Sequence, residues 1–411
     1  MKTKTSQKNI PEGWNQVRLG SIADFKKGKG LSKSDLSSDG KYNAIHYGEL
    51  FTKYNEKITK ILSKTNSVEG AFLSKKNDIL MPTSDVTPRG LSTASYLDKE
   101  GVVLGGDVLV IRAKTTQLNG LFFSYFVSSQ KKEVIKLVSG TTVFHLYGSD
   151  MAKLVFSLPS LPEQNRIVAV LEVWDMAIEL LTKKIELKKQ VKKGLMQKLL
   201  TGKLRLPGFM EKWKVVQLGE VVERIRRKNT INNLNILTIS GQQGLISQSR
   251  IFYKRIAADN LENYNLLERG DFAYNKSYSN GYPMGAIKRL KAYESGVVSS
   301  LYITFKATKI DQTFLDFYFE NGLFNRALSM VAQEGARNHG LLNIGIDEFL
   351  SGDIHIPESK AEQNAIAEIL ASADKEVTEL GKKLINLKEQ KRYLLNNLIA
   401  GTIRTPETLK L

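Results

Sequence analysis

The 411-residue chain has no cysteine. That excludes disulfides, thiolate metal ligands and a cysteine nucleophile. Histidine is scarce as well. His46, His145, His339 and His355 are scattered, without the close spacing of metal ligands. No secretory leader pattern and no run of about 18 apolar residues occurs, so the sequence predicts a cytoplasmic protein with no membrane span. The phosphate-loop pattern is missing, and Gly28-Lys29-Gly30 does not have its spacing. Also missing are a dinucleotide fingerprint, a G-x-S-x-G elbow and an Asn-Pro-Pro-Tyr-like run of the kind adenine methyltransferases carry. Asp353 with Glu358 and Lys360 imitates a metal-dependent nuclease triplet, but Glu358 and Lys360 bracket Ser359, which starts a helix. The chain is therefore expected to be no enzyme and to carry no cofactor.

Proline is absent from 163–206 and from 358–405, and these two stretches are copies of each other. Ser160 to Pro207 aligns without a gap on Ser359 to Pro406, at an offset of 199, with 17 of 48 positions identical. The identities include Glu163/Glu362, Gln164/Gln363, Asn165/Asn364, Asp175/Asp374, Gly202/Gly401 and Arg205/Arg404. The same offset relates Trp14, Val17, Leu19 and Gly20 to Trp213, Val216, Leu218 and Gly219. Such a period is too long for a solenoid and implies two copies of one module, each a globular part followed by a helix.

Each repeated stretch opens on an S-x-x-E capping-box pattern, at Ser160/Glu163 and Ser359/Glu362, and closes on Gly202 or Gly401. About 40 residues between these signals predict roughly 60 Å of helix. The apolar spacing alternates four and three. In the first copy it runs Ile167, Leu171, Trp174, Ile178, Leu181, Ile185, then Lys188 and Lys192, then Leu195 and Leu199. In the second it runs Ile366, Leu370, Ala373, Val377, Leu380, Leu384, Leu387, then Lys391, then Leu394 and Leu398. A mean step of 3.5 is a coiled-coil seam. Two matching seams in one chain most simply pair with each other, and a two-fold relation between the modules would make the helices antiparallel.

Short β-branched and aromatic runs bounded by Gly, Asn, Ser and Pro read as strands in the globular parts. Segments around 119–138 and 312–332 read as amphipathic helices. The fold class expected is mixed α/β (α+β): two pseudo-two-fold-related globular domains separated by two long antiparallel coiled-coil helices. The boundaries expected are 1–159 and 205–358 for the globular domains, 160–204 for the central helix and 359–411 for the C-terminal helix and tail.

Net charge is +18, which favours a polyanionic partner, most often nucleic acid. The excess is uneven: residues 1–159 carry +9 and residues 206–358 only +2. The second part would have to rely on clusters such as Arg224, Arg226, Arg227 and Lys228. The modules diverge most in polar, loop-like segments. One is 81–90, with Thr83, Ser84, Thr87 and Arg89; its counterpart is 274–282, with Asn275, Lys276, Ser277 and Tyr278. Thr141 and Thr142, Gln242 and Gln243, and Arg337 with Asn338 are similar candidates. Side chains of these kinds read base edges and contact phosphates.

The W-x-x-V-x-L-G openings at Trp14 and Trp213, the Pro–Glu-Gln helix starts at 159–164 and 357–363, and the twin helices together resemble the specificity (S) subunits of type I restriction–modification enzymes. The resemblance covers nearly the whole chain. It implies two target recognition domains, each reading half of a bipartite double-stranded DNA site, with the helices as a ruler for the gap. It also implies two methyltransferase subunits docked on the helical region and restriction subunits in the larger complex, with catalysis and S-adenosylmethionine belonging to those partners. The alternative is a coiled-coil structural adaptor joining two protein-binding heads.

Overall fold

A computed structural model describes residues 10–250, 260–332 and 342–409. It divides into two compact units. The first comprises residues 1–182 with 383–411, and the second residues 183–382. Each unit therefore contains one globular part, half of the first long helix and half of the second.

In the first unit the opening strand Asn15–Arg18 pairs antiparallel with Val155–Leu158, the strand that leads into the first long helix. The central sheet has the order Ala23–Lys27, Val108–Ala113, Asp78–Pro82, Ser95–Leu97, antiparallel throughout. Asp78–Pro82 is buried along its whole length. The helix Gly120–Ser129 packs on this sheet through Phe122, Phe123 and Tyr125, all fully buried. A second, five-stranded sheet carries a smaller core around Ile45, Leu80 and Leu104.

The second unit repeats the plan. Trp213–Gln217 pairs antiparallel with Asp353–Pro357. The central sheet runs Val222–Arg224, Ile303–Ala307, Phe272–Asn275, Ala286–Arg289, again antiparallel. The helix Gln312–Glu320 covers it, with Phe314, Phe305 and Phe272 at the centre of the core. Asn119 and Asp311 cap the two covering helices identically, each accepting from the amides two and three residues on.

The continuous helices expected over 119–138 and 312–332 are both broken in two. The first splits at Gln130, whose backbone leaves the helical region at φ −107° and ψ 37°, before Lys131–Ile135. The second splits at Gly322, with φ +69°, before Asn325–Val331. A left-handed glycine cannot continue a right-handed helix.

The long helices are Leu161–Leu199 and Lys360–Ala400. In the first unit Ile167, Val168 and Leu171 share a core with Leu395, Leu398 and Ile399. Further along, Asp175 meets Lys391. As numbers rise in one helix they fall in the other, so the pairing is antiparallel. The second unit repeats it: Met196, Leu199 and Leu200 pack with Ile366, Ala367 and Leu370, and Lys192 meets Asp374. Every position of the alternating apolar spacing is buried or half-buried in both helices.

The lysines that interrupt the seam have a structural reason. Lys391 reaches Asp175, which also accepts the Tyr125 hydroxyl at 2.6 Å. Lys192 reaches Asp374, the repeat-equivalent aspartate, and Lys188 pairs with Glu376 at 2.8 Å. The polar seam positions are thus matched to carboxylates on the facing helix.

The capping-box reading of Glu163 and Glu362 is corrected. Glu163 is buried and accepts Trp14 Nε1 at 3.1 Å and Arg404 Nε and Nη2 at 2.6 and 2.8 Å. Glu362 is buried and accepts Trp213 Nε1 at 3.3 Å and Arg205 Nε and Nη2 at 2.8 and 3.0 Å. In each unit the arginine follows the end of one long helix and the glutamate begins the other. The carboxylate oxygens are therefore spent on tying the two helices to the opening strand. The neighbouring glutamines act alike. Gln164 bonds Pro159 O and the Asn119 amide, and Gln363 bonds Pro357 O and the Asp311 amide. Gly202 and Gly401 adopt φ +70° and +71°, and the tryptophans stack where a Cβ would intrude.

Among the described residues no helix is long and apolar enough to cross a membrane, and no group of His, Asp and Glu could hold a metal ion.

Candidate nucleic-acid interface

In the first unit the segment 81–90 begins as sheet and ends as an exposed loop. Met81 and Pro82 finish the buried central strand. Ser84–Asp85 then pairs with Phe144–His145, which pairs with Ser139–Gly140. This small three-stranded sheet brings 83–90 and 139–145 together. Asp85 shapes the first loop, accepting the Val86 amide at 2.7 Å and the Thr87 hydroxyl at 2.8 Å. Gly90 closes on the same carboxylate, where a Cβ would collide. Gly140, at φ +117°, permits the tight second turn.

Arg89, Thr87, Thr141 and Thr142 are exposed, and Ser84 is half-buried. Thr83 differs. It is only 8% exposed, and its hydroxyl donates toward the Asp107 carbonyl and carboxylate, both at 3.3 Å. Beside it lies a concavity of roughly 390 Å³ lined by Lys26, Lys27, Ser84, Asp107, His145 and Tyr147. Lys27 pairs with Asp107 at 3.2 Å. Lys26, Lys27 and Asp107 carried no signal in the sequence, because they come from a strand edge and a turn far from the polar loop.

In the second unit the segment 274–282 is also part strand. Tyr274 is fully buried, and its hydroxyl donates to Met284 O at 2.8 Å. Asn275 ends the strand and accepts the Ser277 amide at 3.1 Å. Lys276 is half-buried, and its ammonium donates to Ile344 O at 3.1 Å. A phosphate would have to displace that internal partner. Tyr278 is 64% exposed. Arg337 and Asn338 lie outside the described residues.

Of the basic cluster at 224–228, Arg227 pairs with Glu268 and Asp271, and Lys228 donates to Asn263 O and Asn265. Arg224 and Arg226 remain exposed. Burial pushes the Asp271 carboxyl up while Arg227 pulls it back, as expected for an ion pair that locks a turn.

Gln242 and Gln243 sit exposed at the tip of the hairpin formed by Leu237–Ser240 and Gly244–Ser247. With Asn280, Tyr282, Lys288 and Glu320 they line a concavity of roughly 680 Å³. Tyr282 donates to Glu320 at 2.8 Å and accepts from Lys288 at 2.7 Å. Burial and the Glu320 carboxylate push this phenol up, so it remains a neutral donor. Nothing in the local sequence pairs residues 282, 288 and 320; the sheet and its covering helix bring them together.

Comparison with known proteins fits this arrangement. Residues 11–189 match the family model of the type I restriction modification DNA specificity domain. The chain is 26% identical over 425 residues to the type I restriction enzyme MjaVIII specificity subunit of Methanocaldococcus jannaschii, covering 96% of this chain and 94% of that one. The chain is thus similar over nearly its whole length to a type I specificity subunit. The fold is similar to that of solved type I subunits. The S subunit of the type I restriction–modification system of M. genitalium superposes with a TM-score of 0.58 at 17% identity, covering 97% of this chain and 98% of that one. A chain from a structure concerned with complex assembly and conformational transition of the type I system superposes with a TM-score of 0.55 at 16% identity, covering 96% and 99%. Against this type I frame, the repeated Trp, Glu and Arg residues are the ones that hold each unit together, whereas the polar loops differ between the units.

Proposed function

We propose that the chain is the DNA-recognition subunit of a type I restriction–modification complex, with each unit reading one half of a bipartite double-stranded site. The carrying observation is one framework present twice, with the same sheet order, capped covering helix and Trp–Glu–Arg clamp, bearing unlike polar loops. Identical frames carrying different loops suit two readers of different sequences. Phosphate contacts would supply affinity, and loop side chains reaching base edges would supply specificity. In this reading the candidate contacts are Ser84, Thr87, Arg89, Thr141 and Thr142 in the first unit and Asn275, Ser277 and Tyr278 in the second, with Thr83 and Lys276 supporting their loops.

The long helices set the gap between half-sites and dock two methyltransferase subunits. Support for docking comes from apolar side chains that the helices leave in solvent: Val173, Met176 and Leu180 in the first unit, Leu187 and Val191 in the second. Within each unit their helical spacing offers an apolar strip that a partner helix could cover. Methyl transfer and S-adenosylmethionine then belong to the docked subunits, and restriction to further subunits of the complex.

The test is sequencing of modified bases in cells that express the chain with its methyltransferase subunit. A bipartite methylated motif that is lost when this chain is deleted is the expected result. Inserting four residues near Glu186 adds about 6 Å of helix and should change the gap while both half-site sequences persist. Failure of the chain and its methyltransferase subunit, purified together, to bind DNA would favour the coiled-coil adaptor.

A further inference from the structure

Two loops of the second unit are locked to each other through one tyrosine. The hairpin tip at 240–244 rests on the Tyr282 ring, since a Cβ at Gly241 would lie 2.8 Å from Tyr282 Cδ2. The ring belongs to the neighbouring turn, which Ser279 and Tyr282 close through reciprocal backbone bonds. Its hydroxyl is held from below by Glu320 on the covering helix and by Lys288 on the sheet, and these two are themselves ion-paired. The Lys288 side chain is only 5% exposed, so the anchor is internal. A shift of one loop relative to the other would disturb the Gly241–Tyr282 contact or the Tyr282–Lys288–Glu320 network, in which Lys288 is buried and Glu320 half-buried.

The locked tips carry exposed side-chain amides, Gln242 and Gln243 on one and Asn280 on the other, and all three line the same concavity. Amides of this kind make paired hydrogen bonds to N6 and N7 of adenine in the major groove. We propose that Gln242, Gln243 and Asn280 form one adenine-reading surface for a single half-site, and that Tyr282, Glu320 and Lys288 are positioning residues that set the distance between its two halves. This rests on the DNA-recognition reading above.

The experiment sequences the methylated sites made by the intact complex. In the wild type a bipartite motif should appear, with adenine in the half-site that this unit reads. Replacing Gln242, Gln243 and Asn280 together with alanine touches only exposed tips. It should relax one or more A·T positions of one half-site, on the order of ten-fold or more per lost amide pair. The other half-site and the gap should not change. Glu320→Ala should relax the same positions. Glu320→Gln, which still accepts the Tyr282 hydroxyl, should restore most of the discrimination. A purely structural role would instead lower thermal stability and methylation of all sites together.

A wild-type bipartite motif that survives the triple alanine change unaltered would overturn this inference and leave the DNA-recognition reading standing. Equal relaxation of both half-sites would overturn it as well. If the wild-type complex modifies no bipartite motif, both fall.

Discussion

Arg205→Ala should destabilise the second unit by about 2–3 kcal/mol. Its partner Glu362 is fully buried and takes two hydrogen bonds from the guanidinium, at 2.8 and 3.0 Å, and a longer one from Trp213. Removing one member of a buried ion pair leaves an uncompensated charge and costs about 3–5 kcal/mol. The guanidinium side is 33% exposed, so water can enter and solvate part of the stranded carboxylate, which lowers the figure. Arg205 also lies 6.0 Å from the Trp213 ring centre, an interaction of about 0.5–1 kcal/mol at such a site. The equivalent Arg404→Ala should cost less, because Arg404 is 42% exposed, and should act on the first unit. The assay is hydrogen exchange of the amides in 363–370 and 164–171, since a chain of two units need not unfold in one step. Combining Arg205→Ala with Glu362→Met should recover about 1–2 kcal/mol, because the stranded charge is gone. A change below about 0.5 kcal/mol for Arg205→Ala, with no coupling to Glu362, would refute the clamp as a source of stability.

Asp175→Ala should cost about 1–3 kcal/mol, because it strands the Tyr125 hydroxyl and leaves Lys391 only a longer contact to Glu56 at 3.9 Å, whereas Lys391→Leu with Asp175→Leu, which strands the hydroxyl but no charge, should cost less; urea titration of each distinguishes them. Gly401→Ala should destabilise by about 1 kcal/mol or more, as its φ is +71° and a Cβ would meet Pro11 Cγ at 2.5 Å. Gly194→Ala, inside the first long helix five residues before its last residue Leu199 and with open space around it, should stabilise by about 0.5–1 kcal/mol, read by thermal melt. Arg89→Ala should weaken DNA binding by the complex for all sequences, with a salt slope smaller by about one, if its contact is to phosphate. Filter binding across a salt series reads that slope.

The repeat, the two long helices and their seam are written along the chain. Helical periodicity is a local property: Ile167, Leu171 and Trp174 mark a face of the helix whatever lies opposite. The glycines at 202 and 401 likewise announce left-handed ends, and both have them. The repetition of Glu163, Asp175 and Arg205 at 362, 374 and 404 was visible too, but its meaning was not. A glutamate three residues after a serine looks like a reciprocal cap; only folding brings Arg404 and Trp14 to it, and a short ion pair to a buried carboxylate outcompetes a local cap. The seam lysines read as defects until Asp175 and Asp374 appeared on the facing helix.

The candidate interface was less legible. Sequence alone marked polar loops, because Asn, Ser, Thr and Gly collect where the chain turns. It could not separate Arg89, which reaches solvent, from Thr83, which turns inward to Asp107, or from Lys276, which caps Ile344. Nor could it join Gly241, Tyr282, Lys288 and Glu320, which lie up to 79 positions apart. Local chemistry determines which segments are helix, strand or turn. Which polar side chain is spent inside and which is left for a partner depends on long-range packing, and the tertiary structure decided that.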